Sequence, residues 1–304
     1  MEPITQTIEP VPAPEKRIGK LRGSFLLVSE SFALLRKDKE IMLFPVLTFF
    51  TSLLLLILAG AVLFSVLAGM DFSEGVAEEE YGVMGEILLY AGMFVLYLVG
   101  AFISAFFQAG IVTIVHARLN GRDLGFKDGI RNASAHAGKI FVWSLFAATV
   151  GVILEFIASK FKWLGFIVAN LLGTAWNIIT LFIVPVLVLE EGSVKDAIRR
   201  SGSIFKQRWG ETLIMSFSTG LFFLGVFFAG LLVYLSTWFL GNETVIIAST
   251  VLFVFFVIGV SVLSSTLNIV YKVVLYEYAA SGIIPDSFTP ELVTGAVKVK
   301  KPKA

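Results

Sequence analysis

Six stretches of this chain, residues 41–69, 87–115, 140–158, 164–189, 213–240 and 245–271, hold 158 of its 304 residues but only one of its 47 charged side chains. A bilayer's hydrocarbon core, ~30 Å thick, takes about 20 helical residues to cross, and runs of this length and apolarity are spanning helices. The alternative, a transmembrane barrel, needs short segments that alternate apolar and polar residues, and Leu53-Leu54-Leu55-Leu56-Ile57-Leu58 does not alternate. Overall, 57% of the residues are apolar and 15% charged, against about 25% charged in a soluble domain. The reading is an all-α polytopic bundle of six spans.

The basic residues orient it. Of the 24 Lys and Arg, 22 fall in the N-terminal segment, the second and fourth loops and the C-terminal segment, and two, Lys160 and Lys162, fall on the other side. The positive-inside rule therefore predicts a multi-pass protein of the cytoplasmic membrane with both termini in the cytoplasm. The first outer loop agrees, carrying Asp71, Glu74, Glu78, Glu79, Glu80 and Glu86 without a base. The first apolar run is too long for a signal-peptide core, so no cleaved signal is expected. Residues 1–17, with Pro3, Pro10, Pro12 and Pro14 and no apolar periodicity, read as a disordered cytoplasmic tail, 18–282 as the membrane domain and 283–304 as a second tail.

Phe126-Lys127-Asp128-Gly129-Ile130-Arg131 recurs 68 residues later as Val194-Lys195-Asp196-Ala197-Ile198-Arg199, each ahead of an odd-numbered span. A weaker N-terminal copy pairs Ser31-Phe32-Ala33 and Arg36 with Ser203-Ile204-Phe205 and Arg208. This spacing predicts three pseudo-repeats, each an interfacial helix plus a transmembrane hairpin, around an axis along the membrane normal. Leu21, Phe25, Val28, Phe32 and Leu35 share their spacing with Phe126, Ile130, Ala133, Ala137 and Ile140, and Val194, Ile198, Phe205 and Trp209 keep most of it. Such amphipathic helices, basic on the opposite face, either lie in the anionic cytoplasmic leaflet or act as plain elbows under the bundle.

Chemistry is sparse. There is no cysteine, and the only imidazoles are His116 and His136. With no nearby carboxylate at ligand spacing, they read as interfacial anchors rather than metal ligands. No protease, hydrolase or phosphate-loop motif occurs, so no catalytic residue, cofactor or metal site is assigned and the chain is expected not to be an enzyme. The near balance of 24 bases against 23 acids gives no field for nucleic acid. Glu155, the one intramembrane charge, sits three residues from the end of its span with Lys160 and Lys162 just beyond, a position that favours snorkelling to the surface over a proton-relay or catalytic role. Trp143, Trp163, Trp209 and Trp238 with Tyr81, Tyr90, Tyr276 and Tyr278 fall near span ends as an aromatic belt. Pro185 is expected to kink the fourth span, and Asn242-Glu243-Thr244 is a sequon in a loop too short for ready glycosylation.

Each even span carries one polar stripe: Ser104 and Gln108; Asn170, Thr174 and Asn177; Ser261, Ser265, Asn268 and Lys272. Gln108, Asn177 and Asn268 occupy nearly equivalent repeat positions and are expected to face one axis. They would serve either as interhelical glue, about 0.6 kcal/mol each, or as the lining of a path with Lys272 at its cytoplasmic mouth.

Arg36-Lys37-Asp38-Lys39-Glu40 followed by Pro45, Ala148-Thr149-Val150-Gly151, Ala175-Trp176 with Val184-Pro185-Val186-Leu187, Trp209-Gly210-Glu211, Leu275-Tyr276-Glu277-Tyr278-Ala279 and Phe288-Thr289-Pro290-Glu291-Leu292 together resemble a family of uncharacterised six-span prokaryotic membrane proteins, a domain of unknown function. The resemblance covers about residues 20–295 and implies residence in the cytoplasmic membrane, with no activity or site residues attached. The sequence thus points to a non-enzymatic membrane component that organises lipid or a protein partner. A small-solute permease or channel between the even spans is the alternative, and an intramembrane enzyme comes third.

Overall fold

The computed structural model describes residues 32, 38–69, 82–160 and 162–281, with side chains described except at 66–69, 82–84, 86, 162, 163, 207–219 and 279–281. The two tails, the acidic loop 71–80, nearly all of the first amphipathic segment and the side chains of Trp163 and Trp209 therefore lie outside the described residues. The described elements are helical: a 3-10 turn Lys39–Met42, α1 (Leu43–Gly69), α2 (Gly82–Leu119), α3 (Phe126–Ala135), α4 (Ala137–Lys160), α5 (Lys162–Ile179), α6 (Ile183–Leu189), α7 (Val194–Ser236), a 3-10 turn Thr237–Leu240, and α8 (Glu243–Ser281). Six helical stretches are long and apolar enough to cross a membrane, and each overlaps one of the six apolar runs. They fit a multi-pass membrane protein.

The chain divides into two compact units. One comprises Leu43–Ile114 and Leu124–Gly202. Its packing centre is Phe44, fully buried near the start of α1, whose ring lies 4.7 Å from that of Phe126 and 6.5 Å from that of Phe107. Gly110 of α2 and Gly129 of α3 make room for this ring. A Cβ on Gly110 would collide with it, and one on Gly129 would stand 2.8 Å from Phe44 Cζ and 3.0 Å from the Gly110 carbonyl oxygen. α3 is thereby seated on α2, and Asn132 Nδ2 donates to Thr113 Oγ1 at 2.7 Å. α4 and α5 pair through small residues, Gly165, Ala169 and Gly173 on α5, the means by which helices approach closely where lipid is as apolar as they are. Trp143 and Trp176 stack across this pair at 5.7 Å.

The fourth span departs from expectation. Rather than kinking, it stops at Ile179 and restarts at Ile183. Pro185 explains the position, because its ring would strike the carbonyl of residue 181, four residues back, were the helix continuous. In the restarted helix Pro185 occupies the third position, where an N–H would have no intrahelical partner anyway. The break frees two backbone groups, and Ser201 serves both: its Oγ donates to the Ile179 carbonyl at 2.6 Å and accepts from Phe182 N–H at 3.1 Å. Ser201 is itself fully buried.

The two copies of the repeated motif also continue differently. After the first, the helix ends at His136, whose ring Nδ1 bonds the Asn132 carbonyl at 2.9 Å and so competes with the backbone ladder. The corresponding residue of the second copy is Ile204, buried and unable to do this, and α7 runs on unbroken for 43 residues. The expected separate helix ahead of the fifth span is therefore the first part of that span's own helix.

The second unit holds the described residues of Met1–Met42, Val115–Asp123 and Ser203–Ala304. α7 and α8 form its hairpin, turned by Gly241 at φ 61° in the left-handed region. Asn242 Oδ1 caps α8, accepting from Thr244 N–H at 3.0 Å and Val245 N–H at 3.2 Å. The sequon asparagine thus has a structural use. Tyr234 stacks on Phe253 at 4.8 Å, and Thr237 bonds Ser249 at 2.9 Å. Near its basic end α8 is buried almost continuously from Leu267 to Tyr276. Tyr276 and Tyr278, 5% and 6% exposed, are core side chains of this unit, as Trp143, 7% exposed, is of the first, rather than members of an aromatic belt; Trp238 remains exposed. In both units the apolar side chains of the opposite helix halves, such as Leu54 to Phe64 and Leu252 to Phe255, are largely exposed, as suits a hydrocarbon surround.

Candidate functional site

The basic end of α2 carries a cluster of paired charges. His116 and Arg118 lie there two residues apart. His116 Nδ1 pairs with Glu277 of α8, and Arg118 forks onto Asp38 beside the 3-10 turn, its Nε donating to Asp38 Oδ2 at 2.6 Å. A second Arg118 nitrogen also donates to Asp123 Oδ1 at 2.7 Å. Asn120 Nδ2 closes the turn on the His116 carbonyl at 2.8 Å. Glu277 and Asp38 are only 15% and 12% exposed, so loss of either base would strand a largely buried carboxylate. The arrangement ties three chain segments of one unit together by charge. Spacing along the chain could not reveal the His116–Glu277 pair, since 161 residues separate the partners. One signal was available: Asp38 and Glu277 each sit inside a motif that carried the family resemblance.

In the other unit the two copies of the repeated motif take the same local form. Asp128 Oδ2 accepts from Gly125 N–H at 3.1 Å, and Asp196 Oδ2 accepts from Ser193 N–H, also at 3.1 Å. Each carboxylate sits in the first turn of its helix, where it favours the helix dipole. The Ser193 hydroxyl, donating to Asp196 at 2.6 Å, and then the Ser193 N–H hold the Asp196 carboxyl below its ordinary value. Inward, Gly129 and Ala133 match Ala197 and Ser201, all buried; outward, Lys127 and Arg131 match Lys195 and Arg199, all exposed. The inner side of α3 is thus covered by the protein's own Phe44, Gly110 and Ile114. Beside the second copy, Glu190 and Arg200 pair at 3.1 Å in an open cleft of 230 Å³, smaller than the ~300 Å³ at which ligand pockets begin.

The sequence-predicted residues are placed as follows. Gln108 is half-buried on α2 and Asn177 exposed on α5, and among the described residues no hydrogen bond joins them. Asn268 is half-buried and donates to the Ser264 carbonyl of its own helix at 2.9 Å; Lys272, half-buried, lies one turn further along α8. Glu155 is exposed on α4, next to Phe156, over whose ring Lys160 Nζ lies at 5.8 Å. Among the described residues no three His, Asp or Glu gather as a metal site would require.

No curated protein and no solved structure matches the chain. A family model does match, over residues 87–285, which run from the second span through the end of α8 and include His116, Glu277 and both copies of the repeated motif. On that match, which covers well over half its length, the chain belongs to the Family of unknown function (DUF6159).

Proposed function

We propose that this protein is a non-enzymatic component of the cytoplasmic membrane, its termini in the cytoplasm, that gathers anionic lipid headgroups on the repeated basic helix starts. The observation that carries this reading is the matched exposure of Lys127 with Arg131 and of Lys195 with Arg199, each pair one turn apart and opposite a packed face. Because the inner face of α3 rests on protein, α3 works as a fixed platform that presents its charges, rather than as a helix floating in the leaflet. A base near an anionic surface contributes about 1 kcal/mol, so a pair acting together supplies roughly a thirtyfold preference for anionic lipid. The three-repeat architecture belongs to the same proposal, with local equivalence of two motif copies as its support.

The test is lipid retention by the purified protein in mixed micelles of phosphatidylglycerol and phosphatidylcholine. Phosphatidylglycerol should be enriched, and the enrichment should fall at least tenfold in the Lys127→Gln/Arg131→Gln/Lys195→Gln/Arg199→Gln variant and with rising salt. Equal retention by variant and parent would refute the reading.

A further inference from the structure

Helix α5 packs on one side only. Gly165 and Ala169 are buried and Gly173 and Trp176 half-buried, while Asn170, Thr174 and Asn177 are all exposed. At 3.6 residues per turn the three polar residues lie about 110° round the helix from the packed stripe. Most of the remaining perimeter is apolar and exposed, including Leu164, Phe166, Ile167, Leu171 and Leu172, which suits lipid. The polar seam does not suit it. Asn170 Nδ2 donates to the Phe166 carbonyl and Thr174 Oγ1 to the Asn170 carbonyl, both at 2.7 Å. Among the described residues, that leaves Asn170 Oδ1 and the whole Asn177 amide without hydrogen bonds. An unpaired carboxamide in hydrocarbon is costly, so this seam needs a polar partner.

We propose that the partner is a second copy of the chain, docked by parallel pairing of the two α5 helices about a two-fold axis along the membrane normal. Two copies inserted with the same orientation can be related by such an axis, and residues of an isologous contact that lie along the axis meet their own copies. Charged side chains would repel there. A carboxamide carries donor and acceptor together, so Asn170 can pair with Asn170 and Asn177 with Asn177. Thr174, between them, is small enough to let the helices approach. The seam from Asn170 to Asn177 spans about 10 Å at 1.5 Å per residue, two rungs of one ladder.

The chain has no cysteine, so Thr174→Cys introduces one thiol at the centre of the seam and keeps both asparagines. Oxidation in native membranes should give a disulfide-linked dimer from Thr174→Cys and at least tenfold less from Leu172→Cys, which lies on nearly the opposite side of α5 at similar depth. In the Thr174→Cys background, Asn170→Leu/Asn177→Leu should lower dimer yield about tenfold in lipid-diluted vesicles, and Asn170→Gln/Asn177→Gln should restore it. Absence of a Thr174→Cys dimer, or equal yields from Thr174→Cys and Leu172→Cys, overturns the proposal whether or not the leucine variant folds. So does a Thr174→Cys thiol that stays monomeric and reacts with a water-soluble maleimide, the result expected if water fills the seam. A monomeric thiol protected from that reagent also overturns it, since another part of the same chain would then cover the seam.

Discussion

Ser201 shows how much one side chain can carry. Its hydroxyl meets both a carbonyl and an N–H freed by the break between α5 and α6, at a position with no exposed surface. Ser201→Ala should therefore cost about 2 kcal/mol, the range for leaving buried polar groups unpaired, read as a lower unfolding midpoint in detergent. Ser193 acts on titration instead. Its hydroxyl and N–H hold Asp196 below the ordinary carboxylate value, so this carboxylate contributes stability above its unfolded value and loses it as pH falls through the lowered folded value. Ser193→Ala removes the larger cause and should raise the Asp196 value toward its unfolded one, which shrinks this contribution and narrows the pH window over which it is lost. A carboxyl NMR titration with labelled aspartate would show the shift. Ser201 was not legible in the sequence, where nothing distinguishes a buried serine beside a helix break from an exposed one, whereas Ser193 stands three residues before Asp196 at the spacing of a helix cap.

At the scale of elements, hydrophobic run length predicted where helices exist but not where they stop. Pro185 marked a disturbance in the fourth span, yet the interruption appears at residues 180–182, because the clash of a proline ring is with the turn before it. His136 and Ile204 occupy equivalent places in the repeated motif, and one ends a helix while the other continues it. That difference rests on a side-chain bond to a backbone carbonyl, which hydropathy does not register. The seat of α3 gives a sharper test. Gly129→Leu would drive a side chain into Phe44, Ile114 and the Gly110 carbonyl and should destabilise the protein by about 2–3 kcal/mol through overpacking. It should also expose α3 to protease. Gly138→Leu, where a Cβ meets nothing within 4 Å, should leave both readouts unchanged.

For the whole molecule, the proposed threading gives a direct expectation. In the cysteine-free chain, Asn242→Cys should be labelled from outside sealed cells by a membrane-impermeant maleimide. Ser193→Cys, among the bases of the fourth loop, should label only after permeabilisation. The reverse pattern would invert the molecule and remove the basic helix starts from the cytoplasmic leaflet.

By itself the sequence determined the class of this protein: six apolar helices, the loops that carry charge, and the repeated Lys-Asp motif whose two copies share one cap and one burial pattern. These properties are local, since span length follows from the thickness of hydrocarbon and capping from residues three apart. Tertiary structure alone decided that His116 meets Glu277 and Arg118 meets Asp38, that Ser201 fills the gap in a broken span, and that Asn177 stands exposed while Trp143 is buried. Each of those facts joins residues distant in the chain or depends on which side of a helix a neighbour covers. In a span that is apolar nearly all round, no amphipathic stripe marks that side beforehand.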